Sequence, residues 1–224
     1  MKRLIIVCTL SIVVGLCGCT RLLELSHAQD DLAVLSQQPI DADAVALGIS
    51  LHQKRLGISG PVLEPVQTAI FVRLEDKEGS LKQDRIIFST RFSGGFVYLL
   101  NAQPGRYAVV AVYFNRGGVS LLPKTLIQQT VTAIDPGTVG YLGDYELKRD
   151  SIGSEGEGDD VQEYYSQRFW GEPLKPGRSV AQFLSGKRDN ERKKQYLRHT
   201  DEALLEGRGG IWSTWIQQQL QLQP

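Results

Sequence analysis

Tyr107-Ala108-Val109-Val110-Ala111-Val112-Tyr113-Phe114 is a run of eight residues that would be apolar on both faces of an extended chain. A strand with one wet face alternates polar and apolar residues, so this run reads as a central strand covered on both sides. Turn-forming residues bracket it, with Asn101-Ala102-Gln103-Pro104-Gly105 before and Asn115-Arg116-Gly117-Gly118 after.

Working outward, the period-two pattern continues on each side. Val66, Thr68, Ile70, Val72 and Leu74 share one face, and Lys77-Glu78-Gly79-Ser80 follows as turn material. Ile86, Phe88 and Phe92 alternate with Arg85, Ser89 and Arg91, and Phe96, Tyr98 and Leu100 follow Gly94-Gly95. Downstream come Leu126 to Ile134, then Asp135-Pro136-Gly137, then Val139, Tyr141, Tyr145 and Leu147; upstream, Val45, Leu47, Ile49 and Leu51 alternate from position 44. Six strand-like segments, or seven with the first, stand 8 to 15 residues apart. The class this implies is mainly β, an antiparallel seven-stranded β-sandwich over residues 44–148, with a C-terminal α-helical extension. Pro104-Gly105 and Pro136-Gly137 each suit a type II turn, because proline presets φ and glycine accepts a positive φ.

Pro104-Gly105-Arg106-Tyr107 and the apolar run after it resemble the strand entry of carboxypeptidase-regulatory-like and prealbumin-like β-sandwiches, and residues 137–147 are similar to the last strand of lipoproteins with such domains. The likeness covers about residues 66–148 and implies a fold without a chemistry.

The amino-terminal region carries an address. Lys2-Arg3 precede thirteen uncharged residues, Leu4 to Leu16, and small residues follow, which is the layout of an export signal peptide at 1–18. Thirteen helical residues cover only about 20 Å of a hydrocarbon core roughly 30 Å thick, so a retained span is the weaker reading. Leu16-Cys17-Gly18-Cys19 resembles the bacterial lipobox, and the resemblance implies cleavage before Cys19 and lipidation of its thiol. Two or three acyl chains hold firmly where one is marginal. Thr20, in place of Asp after that Cys, is similar to lipoproteins sorted to the outer membrane and facing the periplasm. Cys8 and Cys17 would leave with the leader, so the mature chain would have no free thiol. As a metal site Cys-x-Cys lacks two ligands, and His27 and His52 are not at ligand spacing. Residues 19–43 read as a tether or a short amphipathic helix ended by Pro39.

Residues 149–160 hold one Arg and five acids among glycines, a solvated linker or, less fully matched, a calcium loop without its Asp-x-Asp-x-Asp-Gly pattern. From 161 to 224 the period turns helical: Tyr164, Tyr165, Phe169 and Trp170 in one segment, a charged segment at 187–206, and Trp212, Trp215 and Ile216 in a narrow arc after Ile211. Trp212, Trp215 and Ile216 could anchor a partner or a membrane interface, or could cap an open end of the sandwich.

The sequence carries no nucleophile elbow, Walker loop, His-Glu-x-x-His or Cys nucleophile motif, and His27, His52 and His199 stand near none. His199 reads as solvated, and the Asp41 and Asp43 pair as loop composition. Formal charge is zero, and without the leader 23 basic face 25 acidic residues, a net of −2, so a nucleic-acid partner is not indicated. No catalytic residue, metal or cofactor is implied. The expected partners are the membrane, through the lipid, and another envelope protein. The expected role is a non-catalytic interaction or scaffold module, with an envelope hydrolase or a carbohydrate-binding lipoprotein as the alternative.

Overall fold

The computed structural model describes residues 45–57, 60–75, 80–93, 95–114, 118–153, 158–188, 191–196 and 198. The central run becomes β7 (Gly105–Phe114), and Tyr107 to Val112 are all buried. β3 (Thr68–Leu74) pairs with it on one side, and Ala69 to Val72 are likewise buried. Residues 124–130 explain why β7 has no wet face. They form a helix, α1 (Lys124–Thr130), that buries Leu126 and Ile127 and packs against β7. The expected strand at Leu126 to Ile134 is therefore corrected: Leu126, Ile127 and Thr130 fall on one helical face, and only β9 (Thr132–Ile134) is extended.

The remaining strands are β1 (Val45–Gly57), β2 (Gly60–Pro65), β4 (Ile86–Phe88), β5 (Arg91–Ser93), β6 (Phe96–Ala102), β8 (Gly118–Leu121), β10 (Val139–Ser151) and β11 (Ser179–Lys187). Among the described residues this makes one eleven-stranded sheet in the order β4-β3-β7-β8-β11-β10-β1-β6-β5, with β2 on β1 and β9 on β7. The two ends of that order are one continuous stretch of chain. Ser89 N–H donates to Ala69 O at 2.9 Å on β3, and Thr90 N–H donates to Tyr98 O at 2.8 Å on β6. Residues 86–93 thus stitch the first strand of the path to the last, and the sheet curls until it closes on itself. Closure removes the edges of the main path, which would otherwise recruit other strands, and β2, off that path, keeps an outer edge.

The expectation of an antiparallel seven-stranded sandwich is corrected by the same pairings. β1 runs parallel to β10, and β11 runs parallel to β8. The C-terminal region, read as helical from residue 161, also contributes a strand: β11 fills the gap between β8 and β10 with Ala181 buried. Its apolar residues are few and its outer half is exposed, so the sequence pattern is faint.

α2 (Asp160–Trp170) does form where the period turns helical. Asp159 accepts the amides of Val161 and Gln162, Gln162 returns a bond to Asp159 N–H, and Gly171 ends the helix at φ 70°. The Tyr165 hydroxyl, buried in the core, donates to Leu81 O at 2.7 Å. Of the two Pro-Gly turns, the one at Pro136-Gly137 closes with Thr138 N–H to Asp135 O and Gly137 at φ 65°. The other is corrected: Gly105 has φ 150° and opens β7, because Arg73 crosses it, donating to Pro104 O and Gln103 Oε1. A Cβ at 105 would lie 2.7 Å from the Arg73 Nε.

Candidate binding cleft and aromatic slot

β1 divides the molecule into two faces. Leu47, Ile49 and Leu51 enter the main core, so Gly48, Ser50 and His52 must point the other way. On that second face the register brings Tyr98 and Tyr141 level with Gly48, and Phe96 and Asp144 level with Ser50. A β-bulge between Gly48 and Ser50 shifts β10 by one residue and delivers Asp144, in place of its apolar neighbours, to this face.

Asp144 is the centre of the polar half. Its Oδ1 lies 3.4 Å from His52 Nδ1, and its Oδ2 lies 3.1 Å from Arg192 Nε. Its side chain is 12% exposed and that of His52 is 30% exposed. Burial works to raise the Asp144 pKa. Hydrogen bonds from His52 and Ser50, together with the Arg192 charge, outweigh it and hold the carboxyl below its ordinary value. Beside this group a cleft of about 350 Å3 opens, with Asp144, Glu146 and His52 against Lys187 and Arg192 and with Leu63 of β2 at its rim. A wall of both charge signs suits a polar or zwitterionic contact better than an apolar ligand.

Ser50, His52 and Asp144 invite comparison with an acyl-transfer triad, and the arrangement does not match one. In a triad the imidazole stands between hydroxyl and carboxylate and takes the hydroxyl proton. Here the carboxylate stands in the middle and accepts from both, so the Ser50 hydroxyl has an acid anion, and not a base nitrogen, as its partner. Ser50 is also buried. Among the described residues no group of three His, Cys, Asp or Glu side chains is arranged to hold a metal ion.

The other half of this face is aromatic. The Tyr196 ring lies over Gly48, stacked at 5.5 Å and 24° on Tyr98 and at 5.2 Å and 25° on Tyr141, with Phe96 edge-on at 5.4 Å. Gly48 makes the room: a Cβ there would stand 2.5 Å from Tyr196 Cε2. Tyr196 belongs to the helical residues 191–196, whose earlier turn carries Arg192.

Cys19, Trp212, Trp215 and Ile216 lie outside the described residues, as do His27, His199, Asp41 and Asp43. Of the linker acids, Asp159 caps α2, and Asp160 pairs with Lys82 at 2.9 Å and Lys124 at 2.8 Å. Sequence reading did not single out Ser50, Asp144, Arg192 or Tyr196. One signal was available for Asp144, a carboxylate within the otherwise apolar strand pattern from Val139 to Leu147.

No family model matches the chain, and neither a curated protein nor a solved structure is similar to it.

What the site can do therefore rests on its geometry. The eight tyrosines, which as exposed rings would suggest a carbohydrate platform, are mostly buried, and Tyr113 alone among them is exposed. Among the described residues the most exposed large apolar one is Leu56, at 89%, on the hairpin of β1 and β2, where Leu63 at the cleft rim is 49% exposed and Val62, on the opposite face of β2, is 41%.

Proposed function

We propose that the chain is a lipid-anchored envelope protein, held by acylated Cys19, that acts as a non-catalytic interaction module. The observation that carries this reading is the hairpin of β1 and β2, which keeps Leu56 and Leu63 in solvent on one face, Leu56 being the most exposed large apolar residue among the described residues. Exposing them is a standing cost of about 25 cal/mol per Å2 of apolar surface that only a contact recovers.

The contact runs through side chains and not through strand addition. Val66 N–H bonds Leu51 O, and this phase of the ladder turns the backbone groups of residues 61, 63 and 65 outward. Two of those residues are Pro61 and Pro65, which have no N–H to offer. The outer edge of β2 is thereby blunted while its side chains stay available. The lipobox resemblance supports the anchor, and Thr20 supports an outer-membrane destination facing the periplasm. A hydrolase is less well supported, because the Ser50, His52 and Asp144 cluster lacks the order that activates a nucleophile.

Two measurements test it. Replacing Cys19→Ser should abolish fatty-acid labelling and membrane retention, and persistent labelling would remove the anchor from the reading. A photoreactive residue placed at Leu56 in cells should give a discrete adduct that the same residue at Gln128, exposed on α1, does not give. Equal adducts from both positions, or none from Leu56, would count against the hairpin.

A further inference from the structure

Beyond the β11 ladder, which ends at Lys187, three side chains at four-residue intervals, Arg188, Arg192 and Tyr196, hold the chain, the last two on the second face of β1 and β10. Arg188 donates to Gln129 O at 2.9 Å and Leu142 O at 3.1 Å, Arg192 reaches Asp144, and Tyr196 fills the aromatic slot. Glu191, Arg192, Lys194 and Gln195 are exposed. The walls of the slot are secured differently. Gly48 is paired with Tyr98 on one side and Tyr141 on the other, inside strands that the closed sheet holds.

The slot also has the features of a recognition site. Its floor is bare backbone at Gly48, its walls are two rings that each stack within about 25° of the Tyr196 plane and so select a flat side chain, and the Asp144 carboxylate stands one helical turn away for a cation. We infer that Arg188 and residues 191–196 form a releasable latch over a groove that binds a helical segment carrying a basic residue and, four residues later, an aromatic one. The chain supplies that segment itself in the closed state, through Arg192 and Tyr196. A partner helix with the same spacing makes the same contacts once the latch lifts, in the manner of other helix-in-groove recognition. The pairing of one buried aromatic anchor with one charged neighbour concentrates the binding in two side chains, so one helical turn suffices to compete. Its test involves neither the anchor at Cys19 nor the β1–β2 hairpin, whose Leu63 lines the cleft beside Asp144 and Arg192.

The experiment uses the full chain with the latch emptied by Arg192→Ala and Tyr196→Ala, and a fluorescent peptide reproducing residues 188–198. Anisotropy should show saturable binding to the emptied protein. Binding should be at least about tenfold weaker to the wild type, where the tethered segment competes at high effective concentration. It should be equally weak when Gly48→Ala is added to the emptied protein, because the new methyl group fills the floor of the slot. A peptide with its tyrosine replaced by alanine should not bind. Absence of binding to the emptied protein, or equal binding with and without Gly48→Ala, overturns the groove. Loss of cooperative melting in the emptied protein overturns the latch, since the segment is then part of the fold. On the wild type, limited trypsin should cut at Arg192, Lys193 or Lys194 before it degrades the sheet, and simultaneous loss of both overturns release as a separate event.

Discussion

The carboxylate of Asp159 accepts the backbone N–H of Lys124 at 2.6 Å, across thirty-five residues of sequence, while it caps its own helix α2. One side chain thus closes the first turns of α1 and α2 and sets the helix that covers β7 beside the helix that covers the 80–84 loop. Asp159→Ala removes an N-cap worth about 1 kcal/mol and leaves the Lys124 amide without its acceptor, so a loss of about 2–3 kcal/mol is expected. Asp159→Asn should recover only the α2 cap, because its single amide oxygen replaces Oδ1 and its NH2 group cannot accept from Lys124 N–H. Chemical denaturation of the three proteins checks this, and a loss for Asp159→Ala no larger than a surface substitution would show the shared cap to be inert.

Gly140 and Ile134 are a matched pair. A Cβ at residue 140 would stand 2.0 Å from Ile134 Cδ1, with the next atom, Cγ1, at 3.1 Å. Gly140→Ala should cost about 1–3 kcal/mol by overpacking. Ile134→Val, which lacks the clashing Cδ1, should cost about 0.5–1.5 kcal/mol alone. Combined, the two should cost less than their sum, and strict additivity in the double-mutant cycle would refute the pairing.

Lys124 and Lys82 hold the Asp160 carboxyl down at about 2, against an ordinary value of 3.8. A folded value below the unfolded one means that the unfolded chain binds more protons in acid. The stabilisation is present in full above 3.8 and is lost as pH falls through about 2. Asp144 acts in the same direction. Denaturation midpoints should therefore drop between about pH 5 and pH 2, and Lys124→Met should raise the Asp160 titration seen by NMR. A midpoint that rises on acidification would contradict the sign.

Because Ser50 faces the Asp144 carboxylate and no base, a fluorophosphonate probe should leave it unlabelled in the folded protein. Stoichiometric labelling at Ser50 would restore the hydrolase.

Leu56→Ser should leave the melting temperature nearly unchanged, with an effect within about 0.5 kcal/mol, since the side chain is 89% exposed. In cells it should reduce adducts from a photoreactive residue at Leu63. Unaltered adducts would mean that Leu56 does not take part in the contact.

Local chemistry was legible wherever one element carried its own signal. The alternation of Thr68 to Leu74 and of Phe96 to Leu100, the unbroken run at Tyr107 to Phe114, and the helical period at Tyr164 to Trp170 each appear where the residues led. The misreadings fall where a neighbour overrides the local pattern. Leu126 and Ile127 suit a strand until β7 supplies a flat surface that a helix covers better. β11 carries too few apolar residues to announce itself, and its place is decided by the gap that it fills.

From the sequence alone come the β-rich class, the strands with clear periodicity, and the lipobox resemblance at Cys19, because each depends only on residues within a few positions of one another. The closing of the sheet by residues 86–93, the parallel pairing of β1 with β10, and the meeting of Gly48, Tyr98, Tyr141 and Tyr196 belong to the tertiary structure alone. Those contacts join residues up to 148 positions apart in the numbering, Gly48 and Tyr196 among them, and their geometry is set by strand register and by the bulge that turns Asp144 to the second face. No local pattern encodes a register between distant strands, so the slot and the cleft exist only once the sheet has closed.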